Sequence, residues 1–359
     1  GVQVGAGVAG ALTARYLADA GLRTSVVDPA PPFPGTPERR GALYVRPAVD
    51  YSPETRFAHN AFLAASDCYT RLQENHPDIE FWHPTGTLSL AWHEREQQRQ
   101  HKLITRNRWS PSFLEPVSAG QASVLTGLPV KVPGLWFPAG GHLLVDGLRR
   151  AALSHERITI HPVTVSPDLV QGQPGEWTLS LGNGESLSAS TLVCAAGAGS
   201  DAWAPDLPLN RIRGQLTTVA TAGSVPLVAV AGGGYALPPL AGRVCVGATF
   251  DRDSALETAD TASDHRNIEN LAQWFPSLAG QLETHETFSH WVGFRSTPPD
   301  QLRVAGTHAG RFLLAGMGGK GLVYAPLLAE HIAAGISGAP SPVDGDTENR
   351  ISPGRFMRS

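Results

Sequence analysis

The chain has 359 residues, of which 42% are hydrophobic, and a formal net charge of −4 at pH 7. This length can bury a large core and favours two domains, and the weak negative charge excludes a uniformly basic nucleic-acid-binding protein. No run of about eighteen uninterrupted apolar residues occurs, so we expect no membrane-spanning helix.

The first 28 residues carry the pattern of a dinucleotide-binding βαβ unit. A short apolar strand is followed by the spacing GxGxxG at Gly5, Gly7 and Gly10, by an apolar helix face, and by a second strand that ends at Asp28. Such glycines allow a tight turn and a close backbone approach to a pyrophosphate, and the acidic residue suits a ribose hydroxyl. The start of the helix would offer unpaired N–H groups to the phosphates. The pattern therefore predicts a bound dinucleotide.

A proline-rich loop over residues 29–37 leads to Arg39, Arg40 and Gly41. Two arginines beside a glycine suit a phosphate or the edge of a flavin, and they equally suit a solvated loop. A capping serine and a proline at Ser52 and Pro53 then predict the start of a long helix.

Residues 93–109 form a polar helical pattern with a basic side. Arg95, Arg99, Lys102 and Arg106 recur at i, i+4, i+7 and i+11, which brings them to one side of a helix. This side is either an ordinary solvated face or a surface for a polyanion, to which Arg39, Arg350, Arg355 and Arg358 would add positive charge.

The rest of the chain returns to the nucleotide-binding pattern after an excursion. Residues 191–197 form a continuous apolar strand that ends on small residues, as expected of a central parallel strand. The second half then shows successive strands with little helix, which predicts a sheet in a separate domain. A final buried strand runs into a glycine-rich turn over 316–322 and a helix over 323–336. Because both ends of the chain converge on one long ligand, the pattern favours FAD over NAD.

The three cysteines, Cys68, Cys194 and Cys245, are scattered without metal-site spacing. They predict reduced, buried thiols, and no signal peptide is recognisable, so we expect a cytoplasmic protein.

These pieces together resemble the glycine/D-amino-acid oxidase (DAO-like) family of FAD oxidoreductases over essentially the whole chain. The matching marks are GAGVAG with Asp28, Ala195-Ala196-Gly197, Arg213-Gly214-Gln215, Gly293-Phe294-Arg295 and the closing GMGGKGL. The resemblance implies a Rossmann-like FAD-binding α/β domain with an inserted, mainly antiparallel α+β substrate domain. We assign residues 1–50, 136–212 and 291–359 to the first domain, and 51–135 and 213–290 to the second.

In some flavoenzymes that this sequence resembles, a cysteine just before the segment that here spans 293–298 binds FAD covalently. No cysteine follows Cys245, so the resemblance implies FAD held without a covalent bond to that segment.

Finer stretches at 40–44, 137–142, 293–302 and 318–326 are similar to the oxidase domains of bifunctional tRNA-modifying enzymes in that family. This resemblance implies removal of the carboxymethyl group from 5-carboxymethylaminomethyl-(2-thio)uridine at the tRNA wobble position, which leaves the 5-aminomethyl base and releases glyoxylate. The polyanion at the basic side of residues 93–109 would then be tRNA. Two features depart from the pattern: no methyltransferase domain precedes the oxidase in this chain, and Asp28 stands where the family often has Glu. The methyltransferase would then be a missing domain or a separate partner.

The resemblance also implies the site residues. Arg295 is expected to bind the substrate carboxylate, Lys320 to lie near flavin and substrate, and Tyr235 to lie near the substrate pocket, although Arg295 also suits a structural ion pair and Tyr235 the core. No metal is expected. The implied cofactor-binding residues are Gly5, Gly7, Gly10, Asp28, Arg40, Gly41, Val163, Ala195, Ala196, Gly197, Gly316, Gly318, Gly319, Lys320, Gly321 and Leu322.

Two other functions stay open from the sequence. The same chemistry could act on a free small amine such as glycine or sarcosine, which would fit an enclosed pocket without a basic rim. A protein of another class, a flavin-bearing tRNA-binding module without catalysis, is disfavoured by the presence of both Arg295 and Lys320.

Overall fold

The computed structural model describes residues 1–29, 39–252, 254–282 and 288–357. Most of the predicted proline-rich loop, residues 30–37, lies outside them. The helices within these ranges are α1 (Val8–Asp19), α2 (Pro53–Asn75), α3 (Glu94–Arg106), α4 (Ala119–Thr126), α5 (Val145–Leu153), α6 (Ser200–Trp203), α7 (Thr261–Trp274), α8 (Pro276–Leu282), α9 (Gly321–Ser337) and α10 (Gly345–Ile351). The strands are β1 (Val2–Val4), β2 (Thr24–Val27), β3 (Arg40–Leu43), β4 (Trp82–His83), β5 (Thr87–Leu90), β6 (Glu115–Val117), β7 (Gly134–Phe137), β8 (Gly141–Leu144), β9 (Ile158–His161), β10 (Val170–Gln173), β11 (Glu176–Ser180), β12 (Ser186–Ala189), β13 (Leu192–Cys194), β14 (Asn210–Ala220), β15 (Ala229–Ala231), β16 (Tyr235–Ala236), β17 (Arg243–Gly247), β18 (Phe288–Thr297), β19 (Val304–His308) and β20 (Arg311–Ala315).

A six-stranded sheet forms the nucleotide-binding half, in the order β19-β20-β13-β1-β2-β9. The pairs from β20 to β9 are parallel, and β19 is an antiparallel edge strand. The strand predicted at 191–197 is thus central, since β13 pairs with both β1 and β20. The sheet carries helices such as α1 and α9, and together with the second sheet it confirms the predicted fold class.

Close backbone contacts in the first glycine turn leave no room for a side chain at Gly5 or Gly10. Gly5 has a φ of +96°, in the left-handed region that favours glycine. A Cβ on Gly10 would collide with the carbonyl oxygen of Gly5. The buried amide Nε2 of Gln3 donates to the carbonyls of Gly5 (3.0 Å) and Gly10 (2.7 Å), which ties the turn to α1. Close packing of helix on strand therefore explains the first and third glycines of the motif.

The second sheet has eight strands in the order β18-β14-β17-β16-β15-β5-β7-β6. It is antiparallel except for the parallel pair β15 and β5. Helices α7 and α8 bury Leu271, Trp274 and Leu278 in its hydrophobic core. The predicted mainly antiparallel sheet in the second half of the chain is therefore present.

Two small sheets complete the described fold: β3-β8-β4 and β10-β11-β12. The second contains a hairpin between β11 and β12, in which Gly184 takes a φ of +86° and the Leu181 amide donates to the Glu185 carbonyl.

Helix α2 belongs to the same hydrophobic core as α1, α5 and α9. Its residues Phe62 and Tyr69 are fully buried, and the Tyr69 hydroxyl donates to the Leu322 carbonyl at 2.6 Å. The division of the chain into two domains stays a proposal. Helix α2 packs with the first of these domains, although its residues lie within 51–135, which the division assigns to the second.

Among the described residues, no helix is both long and apolar enough to cross a membrane. All three cysteines are buried free thiols, as the sequence predicts.

The glycine packing makes a testable prediction. Replacing Gly10 by Ala should lower the free energy of unfolding by about 1–3 kcal/mol, because the new methyl group overpacks the turn. Gly7 is the matched control: a Cβ there meets no atom within 4 Å, and its extended backbone suits a serine N-cap. Gly7→Ser should therefore change stability by less than about 0.5 kcal/mol. Urea unfolding of the nucleotide-free proteins measures both, and equal losses would contradict the packing argument.

Candidate active site

A cavity of about 310 Å³ lies at the carboxyl ends of β1, β13 and β20. The turns that follow these three adjacent strands contribute Gly7, Gly197 and the segment 316–319 to its lining. The carboxyl edge of a doubly wound parallel sheet is where such folds bind ligands. The two glycine-rich ends of the chain therefore meet at one cavity, as the sequence predicts.

The opposite wall comes from the antiparallel sheet. Strand β14 contributes Gly214, β16 contributes Tyr235, and β18 contributes Trp291 and Arg295. Because the cavity lies between the two sheets, a ligand in it would contact both halves of the fold.

The lining is cationic. It contains Arg39, Arg40 and Arg295, and no Asp, Glu or His is among the described lining residues. Such a cavity favours anionic groups and lowers the pKa of any amine bound near the guanidinium groups.

Arg295 lies against the backbone of the neighbouring strand. One of its nitrogens, Nη1, donates to the Thr249 carbonyl at 3.0 Å and to the Arg213 carbonyl at 3.4 Å. A Cβ at Gly214 would collide with its guanidinium, so only glycine allows this position.

No carboxylate of the described chain lies within 4 Å of Arg295. Burial lowers the pKa of its guanidinium, and the charge of Asp251, which is beyond salt-bridge distance, offsets this effect only in part. The residue is therefore not the structural ion pair that the sequence left open, and it is available for a carboxylate ligand.

A buried polar network, which the sequence did not reveal, holds the segment that carries Thr249. Its centre is Arg213, only 1% exposed, which pairs with Asp260 at 3.0 Å and Asp251 at 3.4 Å. Its side chain also donates to the carbonyls of Leu256 and Thr258, each at 2.8 Å. The Arg213-Gly214-Gln215 stretch was visible as a motif, but the loop it holds comes from over forty residues later in the chain.

Lys320 lies behind the cavity wall. Its ammonium nitrogen is buried 3.1 Å from the centre of the Tyr44 ring, and the described chain gives it no hydrogen-bond partner. Burial lowers the pKa of Lys320, while its charge lowers the pKa of the Tyr44 phenol. Tyr44 itself lines the cavity; it belongs to the stretch 40–44 that carries the resemblance, but it was not predicted as a site residue. Lys320 can thus act on the cavity through Tyr44.

Tyr235 lines the cavity and packs beside Leu216 and Cys245. Burial raises the pKa of its hydroxyl, so the phenol stays protonated and can donate a hydrogen bond. Tyr235 therefore lies both in the cavity wall and at the edge of the core, the two locations that the sequence left open.

Arg40 lines the cavity but is fixed from behind. Its guanidinium donates to the Pro238 carbonyl at 2.8 Å and to Nδ1 of His142 at 3.2 Å. His142 is 2% exposed, and burial followed by the charge of Arg40 lowers its pKa to about 2. The imidazole is therefore neutral, which lets Nδ1 accept the hydrogen bond.

A second arginine group supports the first glycine turn. The buried Arg149 donates to the Ala6 carbonyl at 2.5 Å and to Asp146 at 2.9 Å, and Arg39 pairs with Asp146 at 3.2 Å. The Asp28 carboxylate accepts from the Ala6 amide at 2.6 Å, so it touches the turn itself.

The structure brings most predicted cofactor-binding residues together. The cavity lining includes Gly7, Arg40, Gly41, Ala195, Gly197, Gly316, Gly318, Gly319, Gly321 and Leu322. It does not include Gly5, Gly10, Asp28, Val163, Ala196 or Lys320. Gly5, Gly10 and Asp28 shape the glycine turn, and Val163 packs at the edge of the hydrophobic core beside β2.

Two of the four basic side chains on the basic side of α3 are paired with other residues of the chain. Arg99 binds Glu96 and the Pro47 carbonyl, and Arg106 pairs with Asp50. Only Arg95 and Lys102 of the predicted set are exposed without a carboxylate within 4 Å in the described part of the chain.

The other arginines predicted to support tRNA binding are paired as well. Arg39 lies in the cavity, Arg350 pairs with Glu54 and Asp346, and Arg355 pairs with Asp300. Arg358 lies outside the described residues.

A family model described as FAD dependent oxidoreductase (DAO) matches residues 4–334. Two bacterial proteins match the chain along its length. Each is named "tRNA 5-methylaminomethyl-2-thiouridine biosynthesis bifunctional protein MnmC". The protein of Hahella chejuensis is 34% identical over 99% of this chain, and that of Marinobacter nauticus is 36% identical over 100% of it. The chain spans only 60% and 58% of those two proteins.

Solved structures with the same fold include glycine oxidase from Geobacillus kaustophilus and iminodiacetate oxidase from a Chelativorans species. The first has a TM-score of 0.83 at 19% identity and covers 98% of this chain and 97% of its own. The second has a TM-score of 0.78 at 22% identity, with 98% of each chain covered.

The neutral His142 predicts an acid-sensitive fold. Its pKa is near 6.5 when unfolded and about 2 when folded, so its contribution to stability is full above pH 6.5 and declines as pH falls below it. Between pH 7 and pH 5 this residue alone should lower the free energy of unfolding by up to about 2 kcal/mol. His142→Asn keeps an acceptor for Arg40 but does not titrate. Urea unfolding at both pH values should show a smaller loss for this variant, and an equal loss would contradict the assignment.

Proposed function

Because this chain belongs to the DAO family of FAD-dependent oxidoreductases, we propose that it oxidises the carboxymethylaminomethyl group of a tRNA wobble uridine. The product is the 5-aminomethyl-(2-thio)uridine, and the two carbons that leave are released as glyoxylate. The observation that carries this proposal is Arg295, a partly buried cation with no carboxylate of the described chain within 4 Å, at a cavity formed by three glycine-rich turns.

The residues of the cavity fit FAD. A Cβ at Gly7 or Gly197 would meet no protein atom within 4 Å, so both glycines leave open space on the lining. Helix α9 begins with Gly321 and Leu322 in the same lining, and the N–H groups of a first turn have no partner within their helix. Gly7, Gly197 and the 316–322 turn would hold the cofactor, with the α9 start favouring negative charge. No cysteine is among the described lining residues, in keeping with a non-covalent cofactor.

Bound FAD supplies the two-electron acceptor, and this chain's residues do the rest. Arg295 binds the carboxylate of the N-carboxymethyl group through its planar fork, which orients the methylene carbon between carboxylate and nitrogen. Tyr235 donates a hydrogen bond from its protonated hydroxyl. Lys320 adds positive charge behind Tyr44. Oxidation of the carbon–nitrogen bond gives an imine, and water addition then separates amine and glyoxylate.

No Asp, Glu or His is among the described lining residues, so none of these side chains lies in the lining to remove a proton from the substrate amine. Only a neutral amine has the electron pair that drives oxidation of its neighbouring carbon. The three lining arginines favour that neutral form electrostatically, so no general base is required.

A small amine such as glycine or sarcosine is the second candidate substrate. The observation that favours it is the pairing of Arg99, Arg106, Arg350 and Arg355 with carboxylates, which leaves little of the predicted basic surface for tRNA.

Under the tRNA proposal, the product amine is the natural acceptor for a methyltransferase, fused or separate. A tRNA substrate also implies a cytoplasmic location.

Purified protein incubated with tRNA bearing the carboxymethylaminomethyl group tests the proposal. Mass spectrometry should detect the 5-aminomethyl base in the wobble position, and an equal amount of glyoxylate should form. Oxidation of free glycine or sarcosine alone would support the second candidate. Binding of both FAD and tRNA without oxidation of either substrate would indicate the non-catalytic module.

Replacing Arg295 tests the carboxylate anchor. Arg295→Gln should keep FAD bound but weaken substrate binding about tenfold to hundredfold, since a hydrogen bond to a charged group contributes roughly 1.5–3 kcal/mol. Arg23→Gln is the matched control for charge, because that arginine is exposed and lies outside the cavity lining. Free carboxymethylaminomethyl nucleoside, followed by flavin reduction, gives the affinity. Loss of flavin with normal substrate affinity in the remaining holoenzyme would make Arg295 structural.

A further inference from the structure

Phe250 is a large apolar side chain that is 50% exposed beside the cavity. Its ring lies near two guanidinium groups, that of Arg295, which lines the cavity, and that of Arg252. Each guanidinium carbon lies 5.6 Å from the ring centre. Phe250 and Arg252 also line a surface hollow next to the cavity.

The segment that carries these residues is held firmly. Backbone hydrogen bonds of 3.0 and 2.9 Å join Arg213 and Asp251, which lies between Phe250 and Arg252. The Arg213 side chain binds the same segment further along. The exposure of Phe250 is therefore a built feature of the surface.

Arg252 is an exposed cation without a local counter-ion. Its neighbour Asp251 pairs with Arg213 and with Arg266, and no other carboxylate of the described chain lies within 4 Å of Arg252. Two carboxylates, Asp251 and Asp260, also line the hollow, but both are paired with arginines of the chain. The hollow therefore offers an aromatic face and the positive charge of Arg252.

We propose that Phe250 and Arg252 form a nucleotide-binding site at the mouth of the active site. This inference rests on the proposed function and specifies how the tRNA is held. The base of the substituted nucleotide stacks on Phe250, a phosphate of the RNA pairs with Arg252, and the carboxylate arm extends to Arg295.

The distances suit this arrangement. The arm has four bonds between the ring carbon and the carboxyl carbon, a reach of about 5 Å when extended. Added to a carboxylate–guanidinium contact of about 4 Å between carbons, this allows the base to lie up to about 9 Å from the Arg295 guanidinium carbon. The Phe250 ring centre, 5.6 Å from that carbon, is within this reach. A wobble base must leave its stack to be oxidised, and unstacked bases bind aromatic side chains in proteins that recognise single-stranded RNA.

A small amine would make no use of this surface. Glycine or sarcosine is held by Arg295 alone and has neither a ring for Phe250 nor a phosphate for Arg252. Variants of this surface therefore distinguish the two candidate substrates. The surface also offers tRNA a binding site that does not depend on the basic side of α3, where two of the cations are already paired.

Phe250→Leu tests the stacking contact, with Phe250→Tyr as the variant that keeps an aromatic face. The leucine variant should lower kcat/KM for the substituted tRNA and for its free nucleoside about fivefold to 150-fold, the range for loss of one base–aromatic stack. Binding of N-methylglycine, followed by the flavin spectrum, should not change. The tyrosine variant should retain most activity. Val124→Ala, which alters an exposed apolar residue on α4, is the control.

Arg252→Gln tests the phosphate contact separately. It should weaken tRNA binding and reduce the slope of log Kd against log salt by about 0.7–0.9, as expected for one phosphate, and leave the free nucleoside unaffected. Equal activity of Phe250→Leu and wild type on tRNA, or an unchanged salt slope for Arg252→Gln, would overturn the proposal. If the wild-type protein does not oxidise tRNA, the proposed function itself is wrong. If it oxidises tRNA and both variants behave like wild type, the proposed function stands and only the nucleotide-binding site is wrong.

Discussion

The structure depends on one close approach, that of the Arg295 guanidinium to the backbone of β14 at Gly214. Register pairs Gly214 with Gly293, so two glycines lie side by side where the two long strands meet the cavity. The missing side chain at Gly214 lets a cation lie against the sheet, where it donates hydrogen bonds to the carbonyl oxygens of Arg213 and Thr249. A cation that is partly removed from water without a paired carboxylate costs stability unless a ligand supplies the negative charge. The fold therefore maintains a site that a carboxylate completes.

The rest of the fold supports this site from two directions. On one side, the parallel sheet delivers three glycine-rich turns to the cavity, where backbone can approach a cofactor closely. On the other, the buried Arg213 network holds Asp251, Thr258 and Asp260 beside Phe250. Under the proposed function, the turns of the first sheet would hold FAD, and Arg295 and Tyr235 of the second sheet would contact the substrate. Substrates of different size could then bind beside the same cofactor, because their contacts would come from the second sheet and its loops.

Local patterns in the sequence predicted the parts of the fold that depend on local chemistry. The glycine turn, Asp28, the central strand at 192–194 and the C-terminal glycine-rich turn all follow from spacing and apolar runs, and the structure contains each. Arg295 and Tyr235 were found through resemblance and lie in the cavity. Tyr44 and Phe250 could not be found, because their significance comes from neighbours far along the chain. The basic side of α3 shows the opposite failure: helical spacing aligned the charges but could not reveal that Glu96 and Asp50 pair with two of them.

The central claim is that oxidation at this site requires a carboxylate next to the oxidised carbon. Anaerobic mixing of the holoenzyme with tRNA bearing either 5-carboxymethylaminomethyl-uridine or 5-methylaminomethyl-uridine tests it directly. Both tRNAs have the same base and the same secondary amine, and only the first has a carboxylate for Arg295. The account predicts that the yellow flavin absorbance bleaches with the first tRNA and persists with the second. Equal bleaching rates for the two tRNAs would contradict it.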